Sequence, residues 1–203
     1  MMKILRLDLK SLKKTLLLLS VPVTLLWPFI VYYALKVNAE IVLVTAMIFF
    51  FTWRTVAIGN VKKQGLILLK ATRIASIVVI MLALSSWFLK RYTLLHYYPV
   101  VINAVFLGAF LFSLIKPPTV ITCFAMLTEA TITPAMLSYT FKVTCIWCVF
   151  FTFNGMMAFF TVLSGDDELW LLWNGCISYL IAGAIMGGEF LIRMHIKKHA
   201  DQE

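Results

Sequence analysis

Two apolar stretches fill the last third of the chain, separated by a short segment that holds the acidic patch Asp166-Asp167-Glu168. The first reads YTFKVTCIWCVFFTFNGMMAFFTVL from Tyr139, and the second reads LWLLWNGCISYLIAGAIMGGEFLIR and ends at Arg193. A helix needs about 20 mostly apolar residues to cross a bilayer. Both stretches meet that length, and helix is the form that pairs every backbone group internally where no water is present. Each also carries an aromatic-Asn-Gly tripeptide, Phe153-Asn154-Gly155 and Trp173-Asn174-Gly175. An amide is costly in hydrocarbon and turns inward to a partner helix or a polar cavity. This hairpin is therefore where specific contacts are expected.

The rest of the chain has the same character. Of its 203 residues 62% are hydrophobic and 13% charged, whereas a soluble domain averages about 25% charged residues. The mean hydropathy is +0.95. Apolar periods predict spans at about 15–35, 41–58, 66–89, 100–115, 137–163 and 169–192. The fold expected is an all-α membrane protein: a bundle of about six transmembrane helices plus one interfacial helix, forming a single domain. Residues 1–14 read as a short basic amphipathic helix on the cytoplasmic face. A basic start before an apolar run also fits a signal peptide, but Thr15 to Leu35 lacks a small-residue cleavage site and reads as an uncleaved span, bent at Pro22 and Pro28. In 116–136, Pro117-Pro118 stops the fourth helix, and Val120, Ile121, Phe124 and Leu127 recur at helical spacing. That spacing predicts an amphipathic interfacial helix. Residues 193–203 read as a polar cytoplasmic tail.

The net charge of +9 raises the question of nucleic acid. The basic residues sit at helix ends, which is the pattern of membrane orientation instead. With both termini inside, Lys3, Arg6, Lys10, Lys13, Lys14, Lys62, Lys63, Lys70, Arg73, Lys116, Lys142, Arg193, Lys197 and Lys198 face the cytoplasm. Only Lys36, Lys90 and Arg91 face away, and Arg54 is embedded beside Trp53. The imbalance predicts that both termini are cytoplasmic. No nucleic-acid partner is expected, and membrane lipids are.

Chemistry-bearing motifs are sparse. Cys145-x-x-Cys148 has redox or zinc spacing, yet on a spanning helix it only puts two thiols on one face. The histidines His96, His195 and His199 lie near predicted boundaries, and His96 has no acidic partner evident in sequence. No metal, cofactor or nucleophile–base constellation is read, so catalytic residues are not expected. Candidate contacts are the amides Asn103, Asn154 and Asn174 with the indoles Trp147 and Trp173. A polar cluster of Tyr139, Lys142, Glu189 and Arg193 is expected at the cytoplasmic boundary, able to hold a lipid phosphate or an acidic partner surface. Glu189 and Arg193 are four apart and share a helix face. Gly175, Gly183 and Gly187 are expected to admit close helix approach, the last two at small-xxx-small spacing.

From about Tyr98 onward the chain resembles an uncharacterised bacterial family of multi-pass inner-membrane proteins. Genes of that family often sit beside ketosynthase and acyl-carrier-protein genes, as in aryl polyene pigment clusters. The residues that carry the resemblance are Tyr98-Pro99, Asn103, Ser113-Leu114, Pro117, Pro134, Tyr139, Val143-Thr144, Trp147-Cys148, Phe150-Phe151, Asn154-Gly155, Trp173-Asn174-Gly175, Tyr179, Glu189 and Arg193. More distantly, the W-x-x-F-F element, a short acidic loop and a last span resemble the intracellular septation protein A family. Thr122, Cys123 and Met126 stand where the first family leads one to expect arginines, and Lys142 stands where Arg is usual. Lys does not reproduce the bidentate geometry of Arg. The resemblance implies a non-enzymatic accessory to the synthesis or membrane delivery of a lipid-like acyl or polyketide product, partnered by cytoplasmic synthesis proteins. A small transporter or flippase using Asn103, Asn154, Asn174 and Arg54 is one alternative; a septation or envelope scaffold is another. A membrane acyltransferase would need a paired His or Asp at the membrane surface.

Overall fold

A computed structural model describes residues 23, 25–58, 66–128 and 132–200, and among them every regular element is helical. The elements are α1 (Leu25–Lys36), α2 (Glu40–Ile58), α3 (Leu66–Leu89), a 3-10 turn (Tyr92–Tyr97), α4 (Tyr98–Ile115), α5 (Val120–Thr128), α6 (Pro134–Ser164), α7 (Asp167–Leu172), a π-helical segment (Trp173–Ile177) and α8 (Ser178–Ala200). Among the described residues, four continuous helical stretches are long and apolar enough to cross a membrane: Ile67–Leu89, Tyr92–Ile115, Pro134–Ser164 and Asp167–Arg193. α2 is also apolar at 19 residues. The basic segment 1–14 and residues 15–22 and 24 of the expected first span lie outside the described residues, as do Lys62 and Lys63.

The outer surface reads as lipid-facing. Phe49, Phe88 and Ile115 are 74%, 79% and 77% exposed, among many large apolar residues on the outside. In water such continuous apolar surface would be a liability; in lipid it costs nothing.

Local chemistry accounts for the turn between the last two spans. Thr133 caps α6 by accepting from the Met136 amide at 3.2 Å, with Pro134 at the first helical position. Gly165 ends α6 in the left-handed region at φ 67°, where the missing Cβ removes the steric cost. Asp166 then caps α7, its Oδ1 accepting from the Glu168 and Leu169 amides at 2.9 Å each. Gly165 and the Asp166 cap thus reverse the chain in a few residues, while Thr133 begins α6 at its other end.

Packing makes two apolar cores. One gathers Trp27, Val31, Leu43, Met47, Phe51, Val79, Leu95, Tyr98 and Trp170. The other gathers Phe110, Val120, Ile121, Val143 and Cys148, with Phe106, Trp147 and Phe151 against it. α4 lies along α6, and α3 lies between α2 and α4.

Three details differ from the sequence reading. α5 packs one face into the bundle: Val120, Ile121, Thr122, Cys123 and Ala125 are buried, and of its described side chains Phe124 and Met126 turn outward. It packs into the second core against α6 because hydroxyl groups on both sides pair with each other, as described below. The polar tail is helical at its start, since α8 continues past Arg193 to Ala200. Finally, Gly183 and Gly187 do not mediate close approach among the described residues, because a Cβ added at either meets nothing within 4 Å.

Close approach is made elsewhere. A Cβ on Gly155 would lie 3.2 Å from the Asn103 Cβ, and one on Gly175 would lie 3.2 Å from Phe29 and Leu171 side-chain carbons. A Gly155→Val protein is expected to lose about 1–3 kcal/mol of stability through overpacking between α4 and α6, read as a lower melting temperature in detergent. Gly183→Ala and Gly187→Ala should leave that temperature unchanged or slightly raised, as helix propensity favours Ala.

Candidate functional site

The three membrane amides are used in pairing. Asn103 on α4 donates Nδ2 to the Pro99 carbonyl at 2.8 Å and offers Oδ1 to Asn154 Nδ2 at 3.0 Å. Asn154 on α6 in turn accepts from Trp173 Nε1 at 3.1 Å. Three elements are thereby tied by one chain of side-chain hydrogen bonds. Asn174 donates to the Trp170 carbonyl at 2.9 Å and to Thr161 Oγ1 at 3.3 Å. Asn103, Asn154 and Asn174 are each buried, at 6%, 6% and 4% exposure.

Local backbone geometry makes this pairing work. Trp173 and Asn174 are consecutive, and in an α-helix they would point about 100° apart. Both nevertheless reach α6, one to Asn154 and the other to Thr161, positions seven apart on a single face. The chain meets this demand with the π-helical segment Trp173–Ile177, a local widening frequent at functional sites.

A second set of bonds seats α5. Ser113 Oγ accepts from the Val120 amide at 3.2 Å. Thr119, Thr122 and Thr140 then form a hydroxyl ladder, 2.8 Å from Thr119 to Thr122 and 2.7 Å from Thr122 to Thr140. Thr144 continues it by donating to the Thr140 carbonyl at 2.7 Å. These hydroxyls are all nearly fully buried, so α5 has one orientation against α6.

With α5 held there, a cavity of about 470 Å³ lies between α3, α4, α5, α6 and α8, lined by Leu68, Phe106, Phe110, Ile121, Phe124, Trp147, Phe151, Met186, Glu189 and Arg193. Its volume falls in the range of ligand pockets, about 300–1,000 Å³. The aromatic wall is rigidly interlocked: Phe106 stacks on Phe151 at 5.7 Å, Phe110 meets Phe151 edge-on at 5.1 Å, and Trp147 lies 5.6 Å from Phe151. Polarity enters only at one end. There Arg193 donates Nε to Glu189 Oε1 at 2.9 Å and Nη2 to the same oxygen. Tyr139 on α6 donates its hydroxyl to the Glu189 backbone carbonyl at 3.2 Å, pinning α8 at that level. The expected cluster of Tyr139, Glu189 and Arg193 thus assembles, with Trp147 in the adjoining wall. Lys142 is exposed and joins no ion pair among the described residues. Tyr179 lies apart from the cavity, near enough to Tyr98 to interact electrostatically.

A polar recess of about 740 Å³ opens at the other end of the bundle, with Glu40, Lys90, Arg91, His96 and Asp167 among its lining. His96 does have an acidic partner: its Nε2 is 3.3 Å from Asp167 Oδ1, and its ring meets Trp170 edge-on at 4.9 Å. Trp170 Nε1 returns a bond to the His96 carbonyl at 3.0 Å. The sequence held a usable signal, since the acidic patch between the fifth and sixth spans belongs on the same membrane side as the loop holding His96. Within that patch the duties divide: Asp166 caps a helix and Asp167 meets the imidazole. Among the described residues no group of three His, Cys, Asp or Glu side chains is placed to hold a metal ion, and the four cysteines are unbridged.

Comparison with protein-family models, curated proteins and solved structures gives no match.

Replacing Asn154 with Leu keeps the volume but strands Asn103 Oδ1 and Trp173 Nε1, and is expected to cost about 1–3 kcal/mol. The Asn103→Leu, Asn154→Leu double variant should cost less than the sum of the singles, by about 0.5 kcal/mol or more, because the two share a bond. Unfolding followed in mild detergent checks both; strict additivity would count against the chain of bonds.

Proposed function

We propose that this chain is a six-span α-helical protein of a bacterial inner membrane, with both termini cytoplasmic, acting as a non-enzymatic accessory in the synthesis or membrane delivery of a lipid-like product of acyl or polyketide type. The carrying observation is the aromatic cavity among α3, α4, α5, α6 and α8, apolar along its length and polar only at the Glu189–Arg193 end. That form suits an apolar chain with one polar terminus. Cytoplasmic acyl or polyketide synthesis proteins are the proposed partners. The basic residues that the orientation assigns to the cytoplasmic side, Lys70, Lys116 and Lys142 among them, supply a rim for an acidic carrier surface.

The transporter reading draws less support, because the amides it needs for a polar path are bonded to each other and to neighbouring helices. None of Asn103, Asn154 or Asn174 lines either cavity described above. No observation favours the septation reading over the accessory one.

The test is removal of the gene, followed by mass spectrometry of total lipid and pigment extracts, alongside a strain carrying Phe106→Ala and Trp147→Ala. Loss of one lipid-like species in both strains is expected. An unchanged extract, with filamentous or misdivided cells, would overturn the proposal in favour of the scaffold. The orientation has its own check: reporter fusions at either terminus should signal a cytoplasmic location, and one after Arg91 should signal the opposite side.

A further inference from the structure

Glu189 and Arg193 occupy an unusual place for a helix-trimming pair. Their side chains are only 19% and 22% exposed, and both line an otherwise apolar cavity. A surface pair of this spacing contributes little. Here the guanidinium presents two of its five donors, Nε and Nη2, to a single carboxylate oxygen. The fork that receives Glu189 is equally suited to a carboxylate arriving from outside.

Helix α8 is held at this level by Tyr139, whose hydroxyl bonds the backbone carbonyl of Glu189 and not its side chain. The Glu189 carboxylate can therefore turn away without releasing the helix. Lys142, three residues beyond Tyr139 on α6, is an exposed cation at the same end. With Glu189 turned out, the cavity keeps one positive charge at its mouth and an apolar interior of Phe106, Phe110, Ile121, Trp147 and Phe151. That is the complement of one hydrocarbon chain ending in one negative charge.

We propose that this cavity binds a single-chain, long-chain carboxylic acid, and that Glu189 is a built-in stand-in for the ligand carboxylate, displaced from Arg193 when the ligand enters. The proposal deepens the accessory reading by naming the ligand class of its site.

The experiment uses the full chain in lipid nanodiscs and cis-parinaric acid, a fluorescent polyene fatty acid excited by energy transfer from tryptophan. Saturable binding is expected. Glu189→Gln should bind about tenfold more tightly, because the competing charge is gone, and Arg193→Gln about tenfold more weakly, because the charge-assisted bond is lost. Met186→Trp fills the cavity from a position that is 62% exposed, so it should fold normally and bind no probe. The methyl ester of the probe should bind more weakly than the acid to wild type and equally to wild type and Glu189→Gln.

Absence of saturable binding in both wild type and Glu189→Gln overturns the proposal. So does equal binding of acid and ester, which would leave an apolar slot without a carboxylate site. Displacement of the probe by lysophosphatidic acid at far lower concentration than by oleic acid would assign the site to phosphate lipids and overturn the ligand class. If Met186→Trp retains full binding, the probe sits elsewhere and the proposal fails. These outcomes are separable from the cellular test: a lipid extract unchanged by gene removal, with probe binding as expected, would sink the accessory role and leave the site standing.

Discussion

Hydrocarbon gives a buried polar group no solvent, so each such group must find its partner inside the protein or at a boundary. Two of the buried amides meet that requirement through the bond chain from Pro99 through Asn103 and Asn154 to Trp173. The chain crosses from α4 to α6 to the start of the last span. Interhelical hydrogen bonds in membranes are individually modest, about 0.6 kcal/mol on average. Their effect here is mainly one of register. Gly155 lets the two helices meet at the amides, and any sliding along α6 would strand several donors together.

The cavity follows from the same contact. Where Asn103 meets Gly155 the helices touch. One and two turns away, Phe106, Phe110, Trp147 and Phe151 stand between them and hold them apart. α5 closes one side because its hydroxyl ladder with α6 is buried and saturated. α8 closes another, touching the rest lightly except at Tyr139. A rigid aromatic wall therefore faces a loosely held helix that carries the only ion pair in the cavity. Pre-formed walls with one adjustable side are what a chain-binding pocket in a membrane requires.

Several parts of this were legible from residues alone. The apolar runs located the spans because backbone pairing in lipid leaves helix as the form available to a single segment. Asn154 and Asn174 announced inward contacts because amides are costly in hydrocarbon, and the four-residue spacing of Glu189 and Arg193 announced their pairing. Other parts were not legible. Spacing showed that Gly183 and Gly187 share a face but not that the face lies open. The sequence put His96 and Asp167 on one membrane side, but only the arrangement of the loops brings them into contact. Thr122 and Thr140 carried no sequence signal at all, because a lone threonine on an apolar helix usually bonds its own preceding turn.

By itself, the sequence determined the membrane class, the helical elements and the chemistry that each helix face offers, since these depend on local composition and on period. The tertiary structure decided which amide answers which, that one face of α5 packs into the second core, and that Trp147, Glu189 and Arg193 border one cavity. Those outcomes depend on how helices cross, and crossing is set by the mutual fit of side chains from different segments. No single segment encodes that fit. The π-helical turn at Trp173–Ile177 belongs to the second group for the same reason: it answers two partners on α6 that become neighbours only once the helices have packed.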